Sequence, residues 1–259
     1  MQSIYQAVAE VVKNNEQAAL CTVVRSQGST PRRAASKMLV YADGSILGSV
    51  GGGEMESRVI AEARQAILDG RPRLVEYSMS DPARGDPGVC GGQMEIFVEP
   101  IQPNPTLIIF GAGHVGRAVA HLAHWLGFRV VASDDRPEFC TPETFPEADE
   151  HYPGSPQEIP AHVRITPRTY VVLTTRNVDV DVQILPSLLS SSAGYIGVIG
   201  SRRRWATTRQ KLDDLGISQE ELSRVHSPMG LKLNAETPEE IAVSIMAEII
   251  LLSRSSSGS

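Results

Sequence analysis

The sequence predicts an α/β fold, with a C-terminal doubly wound parallel sheet preceded by a smaller mixed α+β domain. Three observations carry that expectation. From residue 107 onward, strand-like and helix-like segments alternate, as they do where helices connect parallel strands. The stretch FGAGHVG (110–116) sets a Gly-x-Gly-x-x-Gly pattern between a strand and a helix. Between the two parts, PIQPNP (100–105) holds three prolines in six residues, too many for the interior of a hydrogen-bonded ladder. The expected divisions are a first domain over 1–100, a linker over 101–106, a second domain over 107–251 and a disordered tail over 252–259.

In the first part, YQAVAEVVK has apolar residues at helical spacing. AALCTVVRS and SKMLVYADG read as strands, and Asp43-Gly44 turns the second into SILGSV as a hairpin. Next, GGG (51–53) leads into a helix whose apolar stripe is Met55, Val59, Ile60, Ala63 and Ile67, with Gly70 as its stop. RLVEYSM and QMEIFVEP read as two more strands, giving a mixed sheet. In the second part the order is strand 107–110, helix 114–126, strand 128–133, strand 169–175, helix 179–191, strand 194–199 and helix 201–215. The closing TPEEIAVSIMAEIILL starts with a capping box of Thr237 and Glu240 around Pro238. Its helix is apolar on nearly every side, which implies burial against the domain or a partner copy.

Composition narrows the function. The 259 residues are 41% hydrophobic and 21% charged, with a net charge of −6. That balance argues against a nucleic-acid-binding surface, which needs a basic field. The N-terminus lacks the apolar core of a secretory signal. The longest apolar run, IAVSIMAEIILL, is broken by Glu248 and too short for a membrane span. Cys21, Cys90 and Cys140 show no metal-type spacing, as expected of a cytoplasmic protein with reduced thiols.

Gly111 makes a tight turn, Gly113 admits backbone amides to a diphosphate, and Gly116 lets helix and strand pack closely. With His114 and Val115 these residues form a Rossmann-type phosphate turn at a helix start. The following strand, FRVVAS, ends on Asp134 and Asp135, at the spacing where an acid meets a ribose hydroxyl, and Arg136 stands ready for a 2′-phosphate. An NAD(P) site is therefore one reading, but no histidine or lysine is poised for hydride chemistry after strand 169–175. A second turn, Gly200-Ser201, opens a helix with Arg202, Arg203 and Arg204; it is either an anion site or a solvated basic face. The front part carries Gly51, Gly52, Gly53 and Glu56, a basic loop with Arg32, Arg33 and Lys37, and Cys90 ahead of Gly91 and Gly92. Cys90 is either an accessible thiol or a small buried hydrophobe. His114, His121 and His124 lack partners at metal-ligand spacing.

Taken together, GSTPRRAASKMLV, DGSILGSVGGGEME, VCGGQMEIFVEP, FGAGHVGRAVA, YIGVIGSRRR and HSPMGLKLNAETPEEIAVSIMAEII resemble one family. It is the XdhC/CoxI family, the accessory proteins of xanthine dehydrogenase and carbon monoxide dehydrogenase, and the likeness covers residues 1–251. The resemblance implies a maturation factor that binds and protects molybdenum cofactor, as molybdopterin or its dinucleotide form. It further implies help with sulfuration by a cysteine desulfurase, delivery to a molybdenum hydroxylase, and a homodimer rather than a turnover enzyme. Gly52, Gly53 and Glu56 match the family's Gly-Gly-x-x-Glu element, and Cys90, Gly91 and Gly92 its Cys-Gly-Gly element. Gly111, Gly113 and Gly116 match its nucleotide turn, and Gly200 and Ser201 its later anion turn. Cys90 then becomes a thiol that touches the molybdenum or its sulfur, with Glu56 as a second reactive group. Two departures stand out: Thr175-Arg176 where many members have Thr-His, and Lys232 and Asn234 where an acid and a glycine are usual. The alternatives are an NAD(P)-dependent oxidoreductase and a nucleotide-sensing regulatory module.

Overall fold

The structure, a computed structural model, describes residues 3–78, 92–102, 104–154 and 156–255. They fall into two compact units, Met1–Pro103 and Asn104–Ser259.

The first unit runs α1 (Ile4–Lys13), β1 (Ala18–Gln27), β2 (Lys37–Tyr41), β3 (Ile46–Gly48), α2 (Gly53–Asp69), β4 (Arg73–Ser78) and β5 (Gln93–Ile101). Its sheet has the order β3-β2-β1-β5-β4. Every pairing is antiparallel, so the expected mixed sheet is corrected to a purely antiparallel one. The successive pairs β1–β2, β2–β3 and β4–β5 join directly, and β5 returns antiparallel beside β1. One face carries Ala19, Cys21, Val23, Met38, Val40, Met94, Ile96 and Val98 against the stripe of α2. That stripe is Met55, Val59, Ala63, Ala66 and Ile67, with Ile60 at its edge, and the helix stops at Gly70 in the left-handed region (φ +70°). On the other face Ala7 and Val11 of α1 cover Ala18 and Leu39.

Strand pairing runs into the expected linker from both ends. Ala19 pairs with Pro100 and Ala18 with Ile101, while Thr106 already belongs to the next strand. The β4 partner stops at Val98, so Pro100 lies where β5 has a neighbour on one side only. A strand tolerates a missing N–H there.

The second unit continues with β6 (Thr106–Phe110), α3 (His114–Trp125), β7 (Arg129–Asp134), β8 (Glu150–Pro153), α4 (Ile159–His162), β9 (Thr169–Leu173) and α5 (Val178–Leu189). It ends with β10 (Tyr195–Val198), α6 (Arg202–Asp214), α7 (Gln219–Leu222), β11 (Val225–His226) and α8 (Pro238–Ser255). All strand pairs are parallel, in the order β11-β10-β9-β6-β7-β8. With β6 counted as the first strand, this is the 3-2-1-4-5-6 arrangement of doubly wound dinucleotide folds. Alternate residues serve opposite cores. Leu107, Ile109, Val130, Ala132 and Val172 meet α3 and α8, whereas Ile108, Phe110, Val131, Val171 and Leu173 meet α5. Burial on both faces is why these strands read as continuous apolar runs. The short edge strands β8 and β11 have no such run, and the sequence reading missed both.

At the start of α8, the Glu240 N–H donates to Thr237 Oγ1 and the Thr237 N–H donates back to Glu240 Oε2, each at 3.2 Å. The helix buries Ala242, Ile245, Met246 and Ile249 and leaves Val243, Ile250 and Leu251 exposed. It does not end at 251 as expected but runs to Ser255, because Leu252 extends the buried stripe by one more turn. Among the described residues no helix is long and apolar enough to cross a membrane.

Candidate functional site

The carboxyl ends of β6, β7 and β9 enclose a crevice of about 230 Å³ lined by Gly111, Gly113, Ser133, Asp134, Arg176 and Val180, among others. It lies at the switch point of the sheet, where strand order reverses and ligands of this fold class bind. Three glycines shape its rim, each for a different reason. Gly111 sits at φ +108°, and a Cβ there would stand 2.7 Å from the Thr174 carbonyl. At Gly116 a Cβ would come within 2.0 Å of the Gly111 oxygen, so this glycine lets α3 press against the turn. Gly113 has ordinary extended geometry, and a Cβ on it would meet nothing within 4 Å. Its lack of a side chain leaves open space in front of the α3 amides. Thr174, which sequence reasoning passed over, holds the turn in place. Its N–H donates to the Phe110 oxygen at 2.8 Å and its hydroxyl to the Gly111 oxygen at 2.7 Å.

Asp134 does not present a free carboxylate to a ribose, contrary to the sequence reading. Its Oδ2 accepts the Ala112 N–H at 2.7 Å and Arg136 Nη2 at 3.0 Å. Its Oδ1 accepts the Arg136 N–H and Nε, both at 2.9 Å. Burial pushes the carboxyl pKa up, but the donors from Arg136 and Ala112 outweigh it and hold the group below the usual carboxylate range. The hydrogen bond to Asp134 in turn raises the Arg136 pKa, and its guanidinium lies 4.0 Å over the Phe139 ring. Sequence spacing finds the acid but not the arginine two residues on that occupies it.

Two further groups face the crevice. Arg176 Nη2 reaches Asp135 Oδ2 at 2.7 Å, linking the loop after β9 to the end of β7. Ser133 is wholly buried at the end of β7, and its hydroxyl has no hydrogen-bond partner among the described residues. A buried hydroxyl without a partner costs on the order of 1–3 kcal/mol. Open space over Gly113, helix-start amides and a rim guanidinium form a donor set that fits a phosphorylated group.

The other expected site residues are distributed differently. The His114 side chain lines a separate groove with Arg117, His121 and Pro238, and Val115 packs into the core. Only their backbone amides face the turn. Gly200 sits at φ +130°, and a Cβ there would strike Arg204 Cδ at 2.7 Å. Ser201 caps α6 by accepting the Arg204 N–H at 3.2 Å. The Arg204 guanidinium is turned inward, donating to the Thr175 oxygen at 3.0 Å and to Asp181 Oδ2 at 2.7 Å. Asp181 is fully buried, and burial pushes its pKa up although Thr175 and Arg204 both oppose the rise. Gly200 therefore serves an internal ion pair. Arg202 is exposed beside Trp205 and Arg209, in a surface depression apart from the crevice.

In the first unit the Gly51–Gly53 turn is braced by Glu56. Its Oε2 accepts Ser49 Oγ at 2.6 Å and the Val50 and Gly52 N–H groups at 3.2 Å each. Burial raises the Glu56 pKa, but these donors bring it below the usual range. Glu56 thus braces the loop through the hydrogen bonds it accepts. A Cβ on Gly51 would strike Pro31, and one on Gly92 would lie 2.4 Å from the Ser29 oxygen. The 28–31 loop, the glycine turn and the start of β5 therefore meet at one end of the sheet, while Gly52 and Gly53 face open space. Cys90 and Gly91 lie outside the described residues. Of the other two thiols, burial pushes Cys21 up to about 12 and raises Cys140 as well. No group of three or more His, Cys, Asp or Glu among the described residues is placed to hold a metal.

Comparison with known proteins agrees with this architecture. Residues 107–249 match the XdhC Rossmann domain, and residues 11–78 match the XdhC and CoxI family. The chain is 36% identical over 259 residues to the uncharacterized protein YqeB of Escherichia coli, covering 99% of this chain and 47% of that protein. It is 39% identical over 155 residues to a Bacillus subtilis protein named as a probable subunit of xanthine dehydrogenase, covering 60% and 45%. It is 23% identical over 301 residues to the molybdenum cofactor insertion chaperone PaoD of Escherichia coli, covering 95% and 87%. The chain thus spans about half the length of the first two relatives. A crystal structure described as a xanthine dehydrogenase from Bacillus halodurans shares the fold, with a TM-score of 0.53 and 24% identity over 98% of this chain and 96% of that one. With the Rossmann match alone covering more than half of its length, the chain belongs to the XdhC and CoxI family.

Proposed function

We propose that this protein carries molybdenum cofactor as cargo and inserts it into a molybdenum hydroxylase of the xanthine dehydrogenase type. The crevice at 111–116 carries this reading: it offers amides and an open Gly113 face to a phosphorylated ligand. Its ionisable lining groups are Asp134, Asp135, Arg136 and Arg176, and both acids are paired with arginine. Such a lining binds anions but offers no general base for hydride chemistry, which favours a carrier over an NAD(P)-dependent oxidoreductase. Family membership and the likeness to a protein named a molybdenum cofactor insertion chaperone point the same way.

The proposal extends to three finer points. Cys90, in the family's Cys-Gly-Gly element, is a thiol that handles the molybdenum, since Cys21 and Cys140 are buried and poorly ionised. A cysteine desulfurase supplies sulfur to the bound cofactor. A second copy of the chain covers the exposed apolar residues Val243, Ile250 and Leu251 of α8.

The test is to purify the protein from a cofactor-competent host, oxidise any bound pterin and measure its fluorescence. Near-stoichiometric pterin is expected, with clear loss in Cys90→Ala; pterin-free protein would defeat the reading. Sedimentation of wild type against Val243→Glu tests the dimer.

A further inference from the structure

We infer that the nucleoside end of the crevice reads a phosphate monoester through Arg176 and not a ribose diol through Asp134. In a dinucleotide fold the acid at the end of the second strand accepts the ribose hydroxyls. Here that acid is saturated. A carboxylate has about four lone-pair sites, and Asp134 fills them with the Ala112 N–H and three donors of Arg136. A diol could bind only by displacing a donor from a side chain that is 2% exposed.

The neighbouring pair is built in the opposite way. Arg176 and Asp135 are 50% and 34% exposed and share a single hydrogen bond of 2.7 Å. A rim pair of this kind is worth about 1 kcal/mol or less, so it opens readily. The guanidinium has five donors and spends one of them on Asp135 among the described residues. Because Asp135 directly follows β7, Arg176 stands where the ribose edge of a dinucleotide would lie. A dianionic phosphate there takes a bidentate, charge-assisted pair from Arg176, and Asp135 is released to solvent.

Phosphate monoesters of this kind occur in 2′-phosphorylated nicotinamide dinucleotides, whose diphosphate lies on the glycine turn while the monoester reaches the rim.

One titration experiment tests it on the full chain. Titration calorimetry with NADP⁺ and NAD⁺, which differ by one phosphate monoester, should show NADP⁺ binding about tenfold or more tightly. Arg176→Gln should bring that ratio close to unity. Equal affinities, a preference for NAD⁺, a loss in Arg176→Gln that is equal for both, or no binding of either at millimolar concentration would overturn the inference. Protein that prefers NADP⁺ yet carries no pterin would defeat the cargo reading and leave the Arg176 assignment standing.

Discussion

The Ala112 N–H points into the Asp134 carboxylate at 2.7 Å, so the glycine turn and the end of the neighbouring strand are one bonded unit. Replacing this acid tests the shape of the turn as well as charge. Asp134→Asn keeps an acceptor but cannot take all four donors, and it strands Arg136. We expect a loss of about 2–3 kcal/mol in urea unfolding.

The same carboxylate sets an acid limit. Its folded pKa is held below the unfolded value of about 3.9. Its contribution is therefore complete above that pH and is lost as pH falls through the lower folded value. Glu56 has the same sign. Asp181, raised by burial, has the opposite sign and gains relative stability as pH falls. Urea midpoints measured from pH 7 down to 3 should drop below about pH 4, with a shallower fall in Asp134→Asn.

Two of the turn glycines should separate folding from binding. Gly116→Ala puts a methyl 2.0 Å from a backbone oxygen and should cost on the order of 1–3 kcal/mol or more. Gly113→Ala meets nothing, so its melting temperature should stay within about 2 °C of wild type. Its pterin content should nevertheless fall, because the methyl stands in the space a ligand would use. A Gly113→Ala protein with full pterin content would remove the cargo from this turn.

The buried pair of Arg204 and Asp181 should behave as a strut. Arg204→Gln leaves a carboxylate with 0% side-chain exposure short of its cation, which typically costs about 3–5 kcal/mol. The double variant Arg204→Gln/Asp181→Asn should recover much of that loss. A double variant no more stable than Arg204→Gln would show that the pair is not coupled.

Cys21 and Cys140 should resist a thiol reagent at pH 8 in the folded protein and react once it is unfolded, because burial disfavours both thiolates. Mass spectrometry of the labelled peptides reads this directly.

Much of the fold was legible because the signals are local. Leu107 to Phe110, the glycine pattern behind them and the Thr237–Glu240 box each specify an element from a few adjacent residues. The edge strands β8 and β11 escaped because half-exposed strands carry no apolar run. The candidate site was legible as a turn and an acid but not in its wiring. Nothing in the order of residues tells that Arg136 folds back onto Asp134 and Arg176 crosses to Asp135.

By itself, the sequence determined the two-part α/β organisation, the glycine turn and the family likeness, since all three rest on spacing along one chain. Tertiary structure alone decided which ionic groups are used up internally. Arg204 and Asp134 look like ligand-binding residues in the sequence, but each is consumed by a partner across a loop or between helices. Arg176 keeps spare donors at the rim. The physical reason is that a charged group's availability depends on distances and burial set by packing, which no local pattern records.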